Sequence, residues 1–214
     1  MIHISNIIYF FFNVYIDQFY NYKYKDYIIP FVHALITSFY SNYLMIIDDK
    51  FFNISLYTYE EVHPYYLTTS IYSYIYLYFH IKSSLKLDNS IKLHAFMLSI
   101  ISFISIFYKK MHYFSIALII ESSTIFLQIM HINKSIYSKL MFVLSFFIYR
   151  GLLFPYICYH FLMNHYNQII TIFDIHFVYL ILSLISNGLN FYWLWIMFFK
   201  LYYLIYNKDK INNE

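Results

Sequence analysis

The chain is almost without glycine, proline, cysteine and arginine: its 214 residues include two Gly, three Pro, one Cys and one Arg. With Cys158 alone, no intramolecular disulfide and no cysteine-based metal cluster is available. Charge is equally scarce. Asp, Glu, Lys and Arg make up 12 % of the residues, about half of what a soluble domain carries. A soluble fold must cover its outside with polar groups, and eleven acids with fourteen bases are too few to do so. Soluble enzyme, nucleic-acid binder and disordered scaffold are excluded together.

What fills the chain is apolar. Hydrophobic residues reach 61 %, with 28 Tyr and 24 Phe among them. This is the composition of an integral membrane protein. The excess of Ile, Asn, Lys, Tyr and Phe over Ala, Gly, Pro and Arg follows AT-rich codons, so single Tyr and Asn residues carry little weight. The net charge of +3 says little about partners, because its placement relative to the membrane matters more than its sum.

A helix needs roughly 20 mostly apolar residues to cross the hydrocarbon. Reading between charged clusters gives spans at Ile2–Ile16, Ile28–Ile47, Pro64–Ile81, Ile91–Tyr108, Met111–Met130, Ser138–Met163 and Ile175–Tyr206. Seven is the count, with six as the alternative, since the first span is short and holds Asn6 and Asn13. Ile2–Ile16 lacks the basic start and small-residue cleavage site of a signal peptide. Lysines set the orientation. One set of loops and the tail holds Lys23, Lys25, Lys82, Lys86, Lys92, Lys134, Lys139, Lys200, Lys208 and Lys210. The other holds Lys50, Lys109 and Lys110, together with the acids Asp48, Asp49, Glu60 and Glu61. Ten lysines against three put the N-terminus in the lumen or outside and the C-terminus in the cytosol. No linker and no repeat of solenoid period divides the chain, so it reads as one bundle.

Polar residues inside spans are expensive and mark function or tight packing. Glu121 and Arg150 each lie mid-span and must face the bundle interior. They form either a buried ion pair that fixes helix packing or the lining of a cavity for a lipid headgroup, and the two readings are compatible. His33 and His94 lie a few residues inside their spans, as packing groups or as a base or ligand contact. His131 and His160 read as span-end residues, while His112, His165 and His176 read as loop or boundary residues with no role. No histidine pair shows zinc-like spacing with an acid inside one span, so no metal is expected. Pro155 takes the hydrogen bond from the Gly151 carbonyl and predicts a kink. Asn187, Gly188 and Asn190 predict a break or packing kink in the last span. Glu121-Ser122-Ser123-Thr124 sets small hydroxyls beside a carboxylate, on a face able to meet another helix closely.

Several of these residues fall in a familiar order. Pro30-Phe31-Val32-His33-Ala34 is similar to a Ser-x-x-His-Ala segment, and Thr69-Ser70 with the aromatic run Tyr74–Tyr78 to a Gly-Tyr segment followed by Asp. His94 stands at the place of a His-His pair. Glu121-Ser122-Ser123-Thr124-Ile125-Phe126-Leu127 resembles Glu-x-Ser-Thr-x-Phe-Leu. Phe146-Phe147-Ile148-Tyr149-Arg150 with Pro155 resembles Phe-Phe-x-x-Arg followed by proline, and Gly188-Leu189-Asn190-Phe191-Tyr192-Trp193 resembles Leu-Asn-x-Tyr-Trp. Together, over about residues 20–206, they resemble the TLC-domain family, named for its TRAM, Lag and CLN members, and its small TLC-domain-containing branch rather than the ceramide synthases.

The resemblance implies an all-α, polytopic membrane bundle: a six-helix TLC-type barrel around a lipid-sized cavity, plus an extra N-terminal helix. Residues 1–19 are then the N-terminal transmembrane helix, 20–206 the TLC-like domain and 207–214 a cytosolic polar tail. His33, Glu121, Thr124, Arg150, Asn190 and Trp193 are the expected cavity or lipid-binding residues, and His94 the candidate catalytic base. The synthases' adjacent histidines are here Leu93-His94-Ala95, their aspartate positions are Glu121 and Thr124, and the third-span Asp position is aromatic. A single base can still take an amine proton, but the full synthase set is missing. The expectation is a non-catalytic multi-pass protein of the endoplasmic reticulum or another endomembrane. It needs no cofactor, has membrane lipids as partners, and influences lipid composition or homeostasis. The alternatives are a ceramide-synthase-like N-acyltransferase using acyl-CoA and a sphingoid base, and a translocation or cargo-trafficking protein. A channel or ion transporter ranks last, because only two charges lie inside the spans.

Overall fold

In a computed structural model, the structure describes residues 4–19, 25–48, 51–52, 64–84, 89–108, 110–172 and 175–211. They form seven helices and no strand: α1 Ile4–Phe19, α2 Lys25–Ile47, α3 Pro64–Ser84, α4 Asn89–Phe107, α5 over 111–132, α6 over 136–172 and α7 Ile175–Ile211. The helices follow the seven apolar stretches of the sequence. Three segments, His112–Ile132, Ile136–Tyr166 and Ile175–Tyr203, are long and apolar enough to cross a membrane. Lys23, Lys50, Lys86, Lys109, Asp49, Glu60 and Glu61, used above for orientation, lie outside the described residues.

The partition of side chains is inverted relative to a soluble protein. Asn6, Asn13, Thr37, Ser41, Thr69, Ser70, Ser105 and Ser115 are fully buried, while Ile8, Phe11, Phe39, Phe96, Phe103, Phe107 and Tyr202 are exposed. Helix α1 shows the rule in miniature. Its buried residues Asn6, Tyr9, Asn13 and Ile16 recur at helical spacing, and the exposed Ile7, Ile8, Phe10, Phe11 and Tyr15 form the other face. An apolar outer surface of this extent is stable only against lipid. The chain is a helical membrane protein.

Contacts run from α2 to α3, α3 to α4, α4 to α7, α7 to α6, α6 to α5 and α5 back to α2, with α1 against α2 and α3. The first half of α5 also packs on α3 and α4, and α5 is the most enclosed of the three long apolar segments. Small hydroxyls allow the close approach. Ser41 Oγ donates to the Ser115 carbonyl at 3.0 Å, the Ser70 and Ser115 hydroxyls meet at 2.6 Å, and Ser115 Oγ reaches the Tyr66 carbonyl. One serine thus ties α2, α3 and α5.

Two turns inside the long helices are irregular. A 3-10 turn, Leu118–Glu121, interrupts α5, and a π turn, Phe147–Leu153, precedes Pro155 in α6. Proline has no N–H for the Gly151 carbonyl and its ring crowds it. The widened turn takes up that mismatch one turn ahead of Pro155, the proline at which the sequence predicts a kink. Helix α7 runs unbroken through Asn187, Gly188 and Asn190, so of the break or packing kink expected there the break is absent. Asn187 Nδ2 bonds back to the Ser183 carbonyl at 3.0 Å, and one mid-helix glycine costs only about 1 kcal/mol. At 37 residues and about 1.5 Å per residue, α7 outruns the hydrocarbon layer and continues into 207–211, the start of the expected polar tail.

The two glycines separate by surroundings. A Cβ on Gly151 would meet Phe147 at 3.3 Å and Leu194 at 3.4 Å, whereas one on Gly188 meets nothing within 4 Å. Gly188→Ala should therefore raise stability by up to about 1 kcal/mol, and Gly151→Leu should lower it by about 1–3 kcal/mol through overpacking. Thermal unfolding of the two variants in one detergent checks both signs.

Candidate functional site

Arg150 lies in the π turn of α6 and is buried. An isolated guanidinium is costly in hydrocarbon, so its donors must find acceptors inside the bundle. Its Nε donates to Ser123 Oγ at 2.9 Å, its Nη2 to Thr124 Oγ1 at 3.1 Å and its Nη1 to Asn190 Oδ1 at 3.4 Å. The Glu121 carboxylate stands 3.6 Å from Nη2, and the Phe146 ring lies under the guanidinium with its centroid at 5.3 Å. The site is charge-balanced and joins α5, α6 and α7.

The 3-10 turn ends at Glu121. Ser123 Oγ, besides accepting from Arg150, donates to the Ile120 carbonyl at 2.8 Å, which fixes its lone pair toward the guanidinium. Next to it, Ser122 Oγ accepts from Asn42 Nδ2 at 2.9 Å and ties the site to α2. His33 is buried and stacks on Tyr76 at 3.9 Å between ring centroids, with 9° between planes. Tyr76 lies within electrostatic reach of both Glu121 and Arg150. One polar core thus runs from α2 and α3 through α5 and α6 to α7.

Of the residues singled out in the sequence, Glu121, Thr124, Arg150 and Asn190 meet directly and His33 joins them through Tyr76. His94 and Trp193 form a separate contact, edge to face at 5.4 Å, and Trp193 Nε1 donates to Ser90 Oγ at 3.3 Å. Trp193 follows Asn190 by three residues, which is nearly one turn of α7. The Glu121 carboxylate is committed to Arg150 rather than to His94. Ser123, Tyr76 and Phe146 stood inside quoted segments without being named as site residues, while nothing in the sequence marked Asn42 as a partner.

A second polar cluster gathers His112, His165 and His176, which the sequence left without a role; all three are buried. The His165 and His176 rings stack at 4.2 Å, His112 packs edge-on against Tyr113 at 4.3 Å, and the Tyr113 hydroxyl bonds His165 Nε2 at 3.1 Å. His112 and His176 stand at the starts of α5 and α7, and His165 lies within the last two turns of α6. Among the described residues no group of three His, Cys, Asp or Glu is placed to hold a metal ion.

The chain matches the family described as TLC domain over residues 23–198. No curated protein and no solved structure matches it. The matched segment contains Glu121, Thr124, Arg150 and Asn190, and begins after α1.

Removing one member of a buried ion pair strands the other charge and costs about 3–5 kcal/mol, whereas replacing both is often close to neutral. Arg150→Met and Glu121→Gln should each be strongly destabilising, with Arg150→Met the worse because Ser123, Thr124 and Asn190 also lose a donor. The double variant should recover part of the loss. A double-mutant cycle on unfolding in micelles tests this, and strictly additive effects would show that the two charges are not coupled.

Proposed function

The chain belongs to the TLC-domain family, and from that membership we propose that it binds membrane lipid within its helical bundle and influences membrane lipid composition. In this reading it is a multi-pass protein of the endoplasmic reticulum or another endomembrane. Its seven spans comprise a six-helix TLC barrel with α1 added, the N-terminus lumenal or external and the C-terminus cytosolic. Its partners are membrane lipids. The observation that carries the reading is the buried, charge-balanced core of Glu121, Ser123, Thr124, Arg150 and Asn190. A guanidinium with hydroxyl and amide neighbours is a recognition group for polar headgroups. Its hydroxyls are held by the guanidinium and its carboxylate is occupied.

The transferase reading needs His94 as base and Glu121 to orient it or hold the amine. Its support is position: His94 lies near the start of α4 beside Ser90 and Trp193, at the lysine-rich end that acyl-CoA would approach from the cytosol. The engagement of Glu121 by Arg150 weighs against it.

Whole-cell lipidomics after depletion, with rescue by wild type, His94→Ala or Arg150→Met, separates the two. The expected result is a changed phospholipid profile with steady ceramides, restored by wild type and by His94→Ala but not by Arg150→Met. Arg150→Met/Glu121→Gln, which recovers part of the stability but lacks the guanidinium, is run beside it and should equally fail to restore the profile. A fall in ceramides restored by wild type alone would replace the lipid-binding reading with the transferase. A profile unchanged in every lipid class would sink both.

A further inference from the structure

Helix α7 is the least enclosed of the three long apolar segments, and its outer face is patterned. Counting from Val178 in alternate steps of three and four residues reaches Gly188 at the fourth position and Tyr206 at the ninth, and every position reached is exposed. Alternate steps of three and four are the heptad spacing of a helix that meets another helix along its length. Lys200 is the one charged residue between Val178 and Tyr206, and it stands off the stripe, so two copies of the stripe meet without like charges opposed. Trp195 packs edge to face on Phe199 at 4.7 Å, and Tyr202 stacks on Tyr206 at 6.2 Å between ring centroids. Rings already ordered along the stripe lose less freedom when a partner covers them.

Two further observations point to a second copy of the chain as the occupant. A Cβ on Gly188 would meet nothing within 4 Å, so nothing inside the bundle requires glycine at a position where it costs about 1 kcal/mol against alanine. On an outer helix face, a residue this small lets a second backbone approach closely. The stripe is also too long for lipid alone. From Val178 to Tyr206 it runs about 42 Å at 1.5 Å per residue, against roughly 30 Å of hydrocarbon. Tyr202 and Tyr206, both past Lys200, are 68 % and 58 % exposed. Copies of one membrane chain insert with the same sidedness, so their α7 helices run parallel. A two-fold axis along the membrane normal then sets each position of the stripe against itself.

We propose that the outer face of α7 is the seam of a parallel homodimer, with Gly188 against Gly188 of a second copy and the aromatic positions from Tyr192 to Tyr206 packed across the axis. The last three positions of the stripe follow residue 198, where the family segment ends. Asn190, buried on the inner face of the same helix, keeps its contact with Arg150, so the seam and the polar core occupy opposite sides of α7. The proposal does not depend on the lipid-binding reading.

The test is single-molecule photobleaching of the fluorescently labelled full chain in phosphatidylcholine vesicles, over a series of protein-to-lipid ratios. Two-step bleaching should grow with protein density. Gly188→Leu should weaken the dimer by about tenfold or more, the effect of forcing bulk into a close contact. In detergent, at a dilution where the wild type is monomeric, the same variant should keep its thermal midpoint, because the space around Gly188 is open within one copy. Oxidation in the membrane should crosslink Tyr202→Cys copy to copy. Tyr137→Cys, at a position of α6 that is 76 % exposed, should crosslink about tenfold less, since a disulfide needs the two Cα atoms within about 7 Å. The wild type, with Cys158 alone, gives the background. Single bleaching steps at every density would overturn the proposal and leave the face to lipid or to a different protein. A dimer unchanged in Gly188→Leu, a lowered midpoint in that variant, or equal crosslinking at the two cysteines would each overturn it as well. None of these outcomes touches the lipid-binding reading.

Discussion

One constraint organises this molecule: a single arginine is buried in a bundle whose exterior is made for lipid. A guanidinium carries five donors and a charge that cannot be shed, and hydrocarbon offers nothing to either. The bundle answers with one carboxylate for the charge and with Ser123, Thr124 and Asn190 for the donors. Those acceptors come from α5 and α7, so satisfying Arg150 in α6 fixes how three helices lie together. The packing of the C-terminal half and the chemistry of the candidate site are therefore one problem, because loosening the first unmakes the second.

The irregular turns belong to the same solution. A regular α-helix presents every seventh residue on roughly the same face, and two straight helices would meet through one row of side chains each. In α5 the tighter 3-10 turn ends at Glu121, and in α6 the wider π turn centres on Arg150. Tightening one helix and widening its neighbour at the same level shifts the register of both. Glu121, Ser123 and Thr124, spread over four successive positions, then all face the same guanidinium. Such mid-helix turns are a recurrent feature of functional positions, and here Pro155 supplies a local cause for the second.

Much of this was legible beforehand, and the parts that were not share a physical reason. Spans are long sums over apolar residues, which is why seven helices appear where seven apolar stretches stood. Glu121 and Arg150 were legible because a charge in a span has to be inward and matched. Thr124 and Asn190 were legible through their neighbours in ordered motifs. The burial of His112, His165 and His176 was not, since a histidine near a helix end has the same sequence whether it faces headgroups or a neighbouring helix. Codon bias hid Asn6 and Asn13 in the same way. Asparagine is common throughout this chain, and only the structure shows that these two lie on the enclosed face of α1. The last helix misled for the opposite reason. Asn-Gly-Leu-Asn reads as a break, but with no water to take up freed carbonyls the backbone keeps its own bonds, and Asn187 turns its amide back onto α7.

The polar interior is matched where the charge is greatest. Around Arg150 the acceptors of Ser123, Thr124, Asn190 and Glu121 converge on one guanidinium. Away from it, buried amide oxygens without a hydrogen-bond partner are scattered through the bundle: Asn6 Oδ1 in α1, Gln128 Oε1 in α5 and Asn187 Oδ1 in α7. A neutral amide left unmatched costs about 1–3 kcal/mol, whereas stranding one charge of a buried pair costs about 3–5 kcal/mol. The arrangement of helices therefore answers to the arginine first, and the neutral amides take whatever geometry that leaves them.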